Sequence, residues 1–179
     1  MLFRSNLLIH IKMSKIGLFY SFNSHKTKKI GEMIAEMLGE GASASLNAET
    51  VTEEQFMQYE RLILGVPTWF DGELPNYWDE FVPALEELDL TGKKVAIYGL
   101  ADQVGYPENF GDAVGLMARL LRSRGAVIVG ETSTEGYTYE SSRAVENGHF
   151  LGLILDQENQ GRLTEGRIKK WLETLKTSM

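Results

Sequence analysis

Residues 94–130 read KVAIYGLADQVGYPENFGDAVGLMARLLRSRGAVIVG, and the fold turns on how that stretch is read. Lys94 to Tyr98 is a short apolar run of β-favouring side chains bounded by polar residues, the pattern of a buried strand. From Asn109 to Arg124 the apolar residues Val114, Met117, Leu120 and Leu121 recur at helical spacing until Gly125 stops them. Ala126 to Gly130 is apolar again and reads as a second strand. Strand, helix and strand in about 37 residues make a βαβ unit, and two strands joined that way lie parallel.

The same alternation continues in both directions. Upstream, Lys15 to Tyr20 (KIGLFY) is a strand, and Ile30, Met33, Ile34, Met37 and Leu38 form a helical stripe that Gly39 and Gly41 end. Residues 43–51 are weakly patterned and are read as a second strand, Glu53 to Tyr59 as a short helix, and Arg61 to Val66 as a buried strand halted by Pro67. Asn76 to Leu88 predicts a helix carrying Trp78, Phe81 and Leu85. Downstream, Phe150 to Leu155 is another apolar run, and Thr164 to Lys176 predicts an amphipathic closing helix with Thr164 as its cap. About five strands alternating with helices predict an α/β fold, a doubly wound parallel sheet with helices on both faces. Between the last two apolar runs, residues 131–149 are polar and aperiodic. So long a loop inside a compact domain signals function or disorder, and the runs it separates are read as halves of one sheet region.

Composition narrows the chemistry. A chain of 179 residues with 43% hydrophobic and 24% charged residues fits one globular domain with its own core. It has no cysteine, which removes disulfides, Cys-ligated metals and a thiol nucleophile, so redox chemistry would need a borrowed organic cofactor. His10, His25 and His149 show no metal-ligand spacing. The net charge of −7 argues against nucleic acid and anionic membranes as partners. Residues 71–112 alone hold ten acidic residues and two lysines, so the rest of the chain is nearly neutral. That segment is either a solvated face or a docking surface for a basic partner. Residues 1–12 (MLFRSNLLIHIK) are too short for a membrane span, which needs roughly 20 apolar residues. They also lack a small-residue cleavage site. With Met13-Ser-Lys reading as a natural start, the expectation is an extension over 1–12, a single domain over 13–179 and a cytoplasmic protein.

Three loops follow three of the strands, at the sheet end where such folds bind ligands. The first is Ser21, Phe22, Asn23, Ser24, His25, Lys26 and Thr27. Its hydroxyls, the Asn23 amide and the N–H groups at the start of a helix suit a phosphate, with Lys26 adding charge. The same Ser and Thr would also serve an ordinary capped helix start. It is neither a Walker loop nor a dinucleotide fingerprint, since it has no glycine. The second runs Pro67, Thr68, Trp69, Phe70, Asp71, Gly72, Glu73, Leu74. Aromatic residues in a loop usually contact something, although Trp69 could instead fold back on the core. The third runs from Gly99, Leu100, Ala101 and Asp102 through Tyr106 to Asn109 and Phe110. Trp69 and Tyr106 facing each other across a cleft would sandwich a flat heterocycle.

At this point the chain resembles the long-chain flavodoxins over roughly residues 14–177. KIGLFY with its hydroxyl-rich loop, GVPTWFDGEL followed by Trp78, GLADQVGYPENFGDAVG, EGYTYESSRAV, FLGLILDQENQ and a final Arg-Ile-x-x-Trp occur in the family's order. The resemblance implies non-covalently bound FMN. The 21–27 loop would hold the phosphate, with Trp69 and Tyr106 on the two faces of the isoalloxazine. Asp102 and neighbouring N–H groups would meet its pyrimidine edge, and the peptide around Asp71-Gly72 would lie near N5. Residues 131–149 would be the long-chain insertion that splits the fifth strand. The implied function is a low-potential one-electron carrier between redox proteins with basic docking surfaces, a reductase donor and an acceptor enzyme, working as a monomer and not as an enzyme. Three positions depart from the family pattern. Phe22 replaces a hydroxyl residue, His25 replaces a glycine, with backbone strain expected if that position needs positive φ, and Ala101 replaces the second glycine of Gly-x-Gly-Asp-Gln. Two alternatives remain: an FMN-dependent NAD(P)H-quinone reductase on the same fold, or a degenerate module with weakened FMN binding that keeps the acidic face.

Overall fold

A computed structural model describes residues 15–179; the extension expected over 1–12 and the start expected at Met13 lie outside the described residues. β1 (Ile16–Tyr20) is buried along its whole length, as the apolar run KIGLFY requires of a strand covered on both faces. α1 (His25–Leu38), β2 (Ser43–Asn47), α2 (Glu53–Met57) and β3 (Arg61–Gly65) follow. The helix expected over Asn76 to Leu88 is two short ones, α3 (Asn76–Asp79) and α4 (Val82–Glu87). Pro83 is the reason, because it has no N–H to continue the hydrogen-bond ladder and its ring crowds the preceding turn. β4 (Lys94–Leu100) extends two residues further than its apolar run, so Gly99 and Leu100 end a strand and do not open a loop. α5 (Asp112–Ser123) starts three residues later than expected, after a 3-10 turn at Pro107–Asn109.

All strands of the main sheet are parallel, in the order β2-β1-β3-β4-β5, with β5 (Val127–Val129) beside Lys94–Ala96. β9 (Leu153–Leu155) continues along the same neighbour, beside Tyr98–Leu100. The fifth strand is therefore split, and the polar segment fills the gap. That segment is ordered into β6 (Thr132–Ser133), β7 (Val145–Glu146) and β8 (His149–Phe150), a small antiparallel sheet in the order β6-β8-β7. After β9 come α6 (Gln157–Gln160) and α7 (Thr164–Ser178). Thr164 does not cap α7. It is the helix's first residue, and its hydroxyl accepts from Gln157 Nε2.

The alternation of strand side chains builds two apolar layers. Leu18, Tyr20, Ile63 and Tyr98 pack under α1 and α7 with Ile30, Ile34, Trp171 and Leu172. Phe19, Leu62, Leu64 and Ile97 pack on the other face with Phe56, Trp78, Val114 and Met117. The insertion is seated on the second layer: Tyr139 stacks on Phe110 at 5.1 Å, and Tyr137 meets Phe150 edge-on at 5.3 Å. Beneath it, a Cβ on Gly115 would lie 2.1 Å from the Arg143 carbonyl oxygen. Glycine to alanine in an exposed helix normally gains about 1 kcal/mol. At Gly115 the sign is expected to reverse, with Gly115→Ala losing about 1–3 kcal/mol through overpacking in urea denaturation. A gain would show that the insertion is not seated on α5.

Candidate functional site

The strand order reverses between β1 and β3, since β1 leads outward to β2 while β3, β4 and β5 run the other way. A crevice at such a switch point lies outside the carboxyl ends of the strands. Here it is a cleft of about 520 Å³ walled by the three loops, a volume in the range of small-molecule sites.

The first loop divides in two. Ser21, Phe22 and Asn23 shape it without lining the cleft. The buried Ser21 hydroxyl accepts from the N–H groups of Asn23 (3.2 Å) and Ser24 (2.9 Å) and donates to Glu49. Asn23 Nδ2 donates to the same carboxylate at 2.6 Å. Phe22 tilts onto Tyr20 at 5.2 Å, and its N–H donates to Asn47 Oδ1. Ser24, His25, Lys26 and Thr27 do line the cleft. His25 starts α1 and is not among the residues with positive φ, so the strain expected there is absent. No side chain caps α1, its first turn holds no acidic residue, and the Ser24 hydroxyl is directed to Thr27 Oγ1 at 3.1 Å. The first amides of a helix have no intrahelical acceptor, and together with the helix dipole they favour an anion at this end. By contrast, α2 has a complete capping box from Thr52 and Gln55 and two glutamates in its first turn.

The second loop continues β3 through hydrogen bonds from Val66 N to Tyr98 O and Thr68 N to Leu100 O. It then closes a tight turn in which Trp69 and Glu73 exchange backbone bonds of 2.9 and 2.8 Å. Phe70 (φ +43°) and Gly72 (φ +94°) take the left-handed conformation this turn needs. Pro67, Thr68, Trp69 and Phe70 line the cleft. Trp69 is held edge-on by Tyr77 at 6.0 Å. Tyr77 itself is largely buried, which with Glu49's charge raises its phenol pKa, and its hydroxyl has no hydrogen-bond partner among the described residues. Gly72 is not in the cleft wall; it packs on Asp112, whose Oδ2 would lie 2.5 Å from a Cβ there.

In the third loop Leu100, Ala101, Asp102, Tyr106 and Asn109 reach the cleft, and Tyr106 is half exposed. Ala101 fits without distortion, with its N–H bonded to Leu155 O at 3.0 Å. The Asp102 carboxylate is turned onto its own loop, accepting from Gly105 N (2.8 Å), Val104 N (3.0 Å) and Asn159 Nδ2 (2.8 Å). The Gly105 N–H foremost, then Asn159 and Val104, hold it below the usual carboxylate range against partial desolvation. Two expected residues are misplaced. Phe110 is fully buried among Tyr137, Tyr139 and Phe150, anchoring the insertion. Gly99 is packed against Val66 O and Val114 inside the sheet.

Three residues escaped the sequence reading. Gln157 and Glu158 on α6 complete the cleft wall, and Glu158 pairs with Lys26 across it. LDQENQ was the available signal, with Asp156 capping α6 through Asn159 N at 3.0 Å. Asp112 is buried beneath the second and third loops, where it accepts from Arg143 N (2.7 Å) and Asn109 Nδ2 (3.2 Å). Asp112→Ala would leave the Arg143 N–H without its acceptor, so a loss of about 1–3 kcal/mol is expected in denaturant unfolding. An unchanged midpoint would mean that the carboxylate does not join the two loops to the insertion.

No cluster of metal ligands and no helix long and apolar enough to cross a membrane occurs among the described residues. The acidic segment is not one patch. Asp71, Glu73, Asp102 and Glu108 stand on the cleft loops, whereas Glu86 and Glu87 end α4 and Asp89 follows it, on the way to the opposite end of the sheet.

The flavodoxin family profile matches residues 18–171. A flavodoxin of Klebsiella pneumoniae is 42% identical over 175 residues, covering 93% of this chain and 99% of that protein. A flavodoxin of Synechocystis is 44% identical over 165 residues, with coverages of 92% and 97%. A crystal structure of Fusobacterium nucleatum flavodoxin bound to flavin mononucleotide superposes with a TM-score of 0.88 at 35% identity, over 92% of this chain and 98% of that one. With the split fifth strand, the loop-walled cleft and these similarities together, the chain belongs to the flavodoxin family.

Proposed function

We propose that the cleft holds one FMN and that the chain, over residues 13–179, carries electrons singly between redox proteins. The observation that carries this reading is the meeting, in one cleft, of an uncapped helix start free of acidic residues with two aromatic rings on separate loops, the partly buried Trp69 and the exposed Tyr106. The donor set fits the group. Ser24, Thr27 and the first N–H groups of α1 would take the phosphate, with Lys26 and His25 beside them. Trp69 and Tyr106 would cover the two ring faces and exclude water. Backbone N–H groups around Ala101 and Asp102 would meet the pyrimidine edge, the Asp102 carboxylate being held by its own loop. A backbone carbonyl in the turn around Asp71 and Gly72 would accept a hydrogen bond from a protonated ring nitrogen. Bound FMN supplies an isoalloxazine that accepts and returns electrons one at a time, and the protein sets its potentials. Asp71, Glu73, Asp102 and Glu108 around the cleft make added negative charge on the ring less favourable, which lowers the potential of the second electron.

The test is titration with FMN followed by stepwise dithionite reduction. Binding of one FMN per chain and two separated one-electron steps are expected, without NAD(P)H oxidation by the isolated protein. A single two-electron step with NAD(P)H turnover would favour a reductase instead, and failure to bind FMN would favour a degenerate module.

The same four carboxylates are proposed to steer partners with basic surfaces. Electron transfer from a basic reductase is therefore expected to slow by about tenfold as ionic strength rises through the range where the Debye length shrinks from about 30 to 8 Å. A stopped-flow rate indifferent to salt would overturn the steering role.

A further inference from the structure

The phosphate end of the cleft is shaped by a part of the chain that does not line it. A 3-10 turn, Ala48–Thr50, follows β2. The residues at this turn bond three consecutive residues of the 21–27 loop. The Ser21 hydroxyl donates to one carboxylate oxygen of Glu49, and Asn23 Nδ2 donates to the other at 2.6 Å. Between them, the Phe22 N–H donates to Asn47 Oδ1 at 3.2 Å, and the same oxygen accepts the Glu49 N–H at 3.2 Å. Asn47 thus caps the turn and ties it to the loop.

The consequence passes inward through Ser21, whose side chain is fully buried. Its proton goes to Glu49, and its oxygen accepts from the N–H groups of Asn23 and Ser24 at 3.2 and 2.9 Å. Those bonds close the loop immediately before Ser24, His25, Lys26 and Thr27, the residues of this loop that line the cleft. Ordering a loop around a ligand lowers affinity, and a loop already fixed by the fold avoids that loss. The two donors, Ser21 and Asn23, need two acceptors, which a carboxylate offers and a side-chain amide does not. Glu49 is exposed, so solvent and salt screen its charge and its geometry is what counts.

We infer that Glu49 is the positioning residue of the phosphate site, holding Ser21 and Asn23 so that Ser24 to Thr27 and the first amides of α1 stand ready for the phosphate. This rests on the FMN reading of the cleft. Position and charge act in opposite directions here. As an anchor Glu49 favours phosphate binding, whereas as a bare negative charge it would oppose it. The sign of a mutational effect decides between them.

The experiment is fluorescence titration of the apoproteins of the parent chain, Glu49→Gln and Glu49→Ala, in phosphate-free buffer. The ligands are FMN and riboflavin, which lacks only the phosphate. The Kd for FMN is expected to rise about tenfold in Glu49→Ala and about threefold in Glu49→Gln, which keeps one acceptor. The Kd for riboflavin should stay within about twofold of the parent value. By NMR, the Asn23 and Ser24 amides of the Glu49→Ala apoprotein should exchange at least about tenfold faster than in the parent. Tighter FMN binding in both variants would make Glu49 a repelling charge and overturn the proposal, as would unchanged FMN affinity or unchanged amide exchange. Equal losses for FMN and riboflavin would also overturn it. They would move the effect to the ring wall through Tyr77, which lies in reach of the Glu49 charge and backs Trp69. A parent chain that binds no FMN would defeat the functional reading itself, and this inference with it.

Discussion

Replacing Trp69 and Tyr106 together by alanine is expected to weaken FMN binding by about 10²–10⁴-fold, since stacking a flat heterocycle on an aromatic side chain contributes about 1–3 kcal/mol per ring. The two rings stand on different loops, so their losses should largely add. They should not be equal. Trp69 is held in place by Tyr77 edge-on and by the backbone pair with Glu73, so it loses little freedom when a ring stacks on it. Tyr106 is 54% exposed in a loop bounded by Gly105 and Pro107 and must be ordered by the ligand. Trp69→Ala is therefore the costlier single change. Phe70 is 69% exposed and only edge-on to Trp69 at 6.3 Å, so Phe70→Ala should change affinity little. Fluorescence titration with FMN and with lumiflavin, which lacks the ribityl phosphate, separates the contributions. The double variant should lose as much affinity for lumiflavin as for FMN. A double variant that still binds FMN within about twofold would remove both rings from the site.

How much of this was legible in the sequence depends on which physical signal each element carries. The central strands were readable because β1, β3 and β4 are covered on both faces and need unbroken apolar runs, which KIGLFY, RLILGV and KVAIY provide. β6, β7 and β8 were not, because two-residue strands hold no periodicity and their polar segment differs from a loop only in its partners. The break between α3 and α4 could have been read from Pro83, but the stripe of Trp78, Phe81 and Leu85 spans it and suggests continuity. In the site, residues at helix and strand ends were legible and side-chain direction was not. Phe110 and Tyr106 are aromatics four residues apart in one loop, yet the insertion buries the first and leaves the second open. Ser21 has the hydroxyl expected of a phosphate ligand, and only Glu49, 28 residues on, shows where that hydroxyl goes. Asp112 looked like one more charge in an acidic segment; its burial comes from loops that pack on it from both sides.

The largest effect on stability is expected at Trp78. Its side chain is fully buried, between Tyr77 and Phe81 at 6.1 and 6.4 Å, and its Nε1–H donates to Gly65 O at 2.8 Å where β3 ends. Trp78→Ala removes a large apolar volume that the sheet cannot close over, an expected loss of about 3–5 kcal/mol, against a total of about 5–15 kcal/mol for such a domain. Trp78→Phe keeps most of the ring volume but leaves the Gly65 carbonyl unpaired in the core, a loss of about 1–3 kcal/mol. Urea denaturation of the apoproteins should give that ranking. The same pair of variants tests whether α3 supports the cleft, because Tyr77, directly before Trp78 in α3 and in ring contact with it, backs Trp69. Ligand stabilises the folded state by RT ln(1 + [L]/Kd), about 2.7 kcal/mol at a hundredfold excess over Kd. If α3 loosens when Trp78 is cut to alanine, the stability gained on adding FMN should shrink in Trp78→Ala and stay near the parent value in Trp78→Phe. An equal FMN gain in all three proteins would confine Trp78 to the core and leave Trp69 supported by its own turn alone.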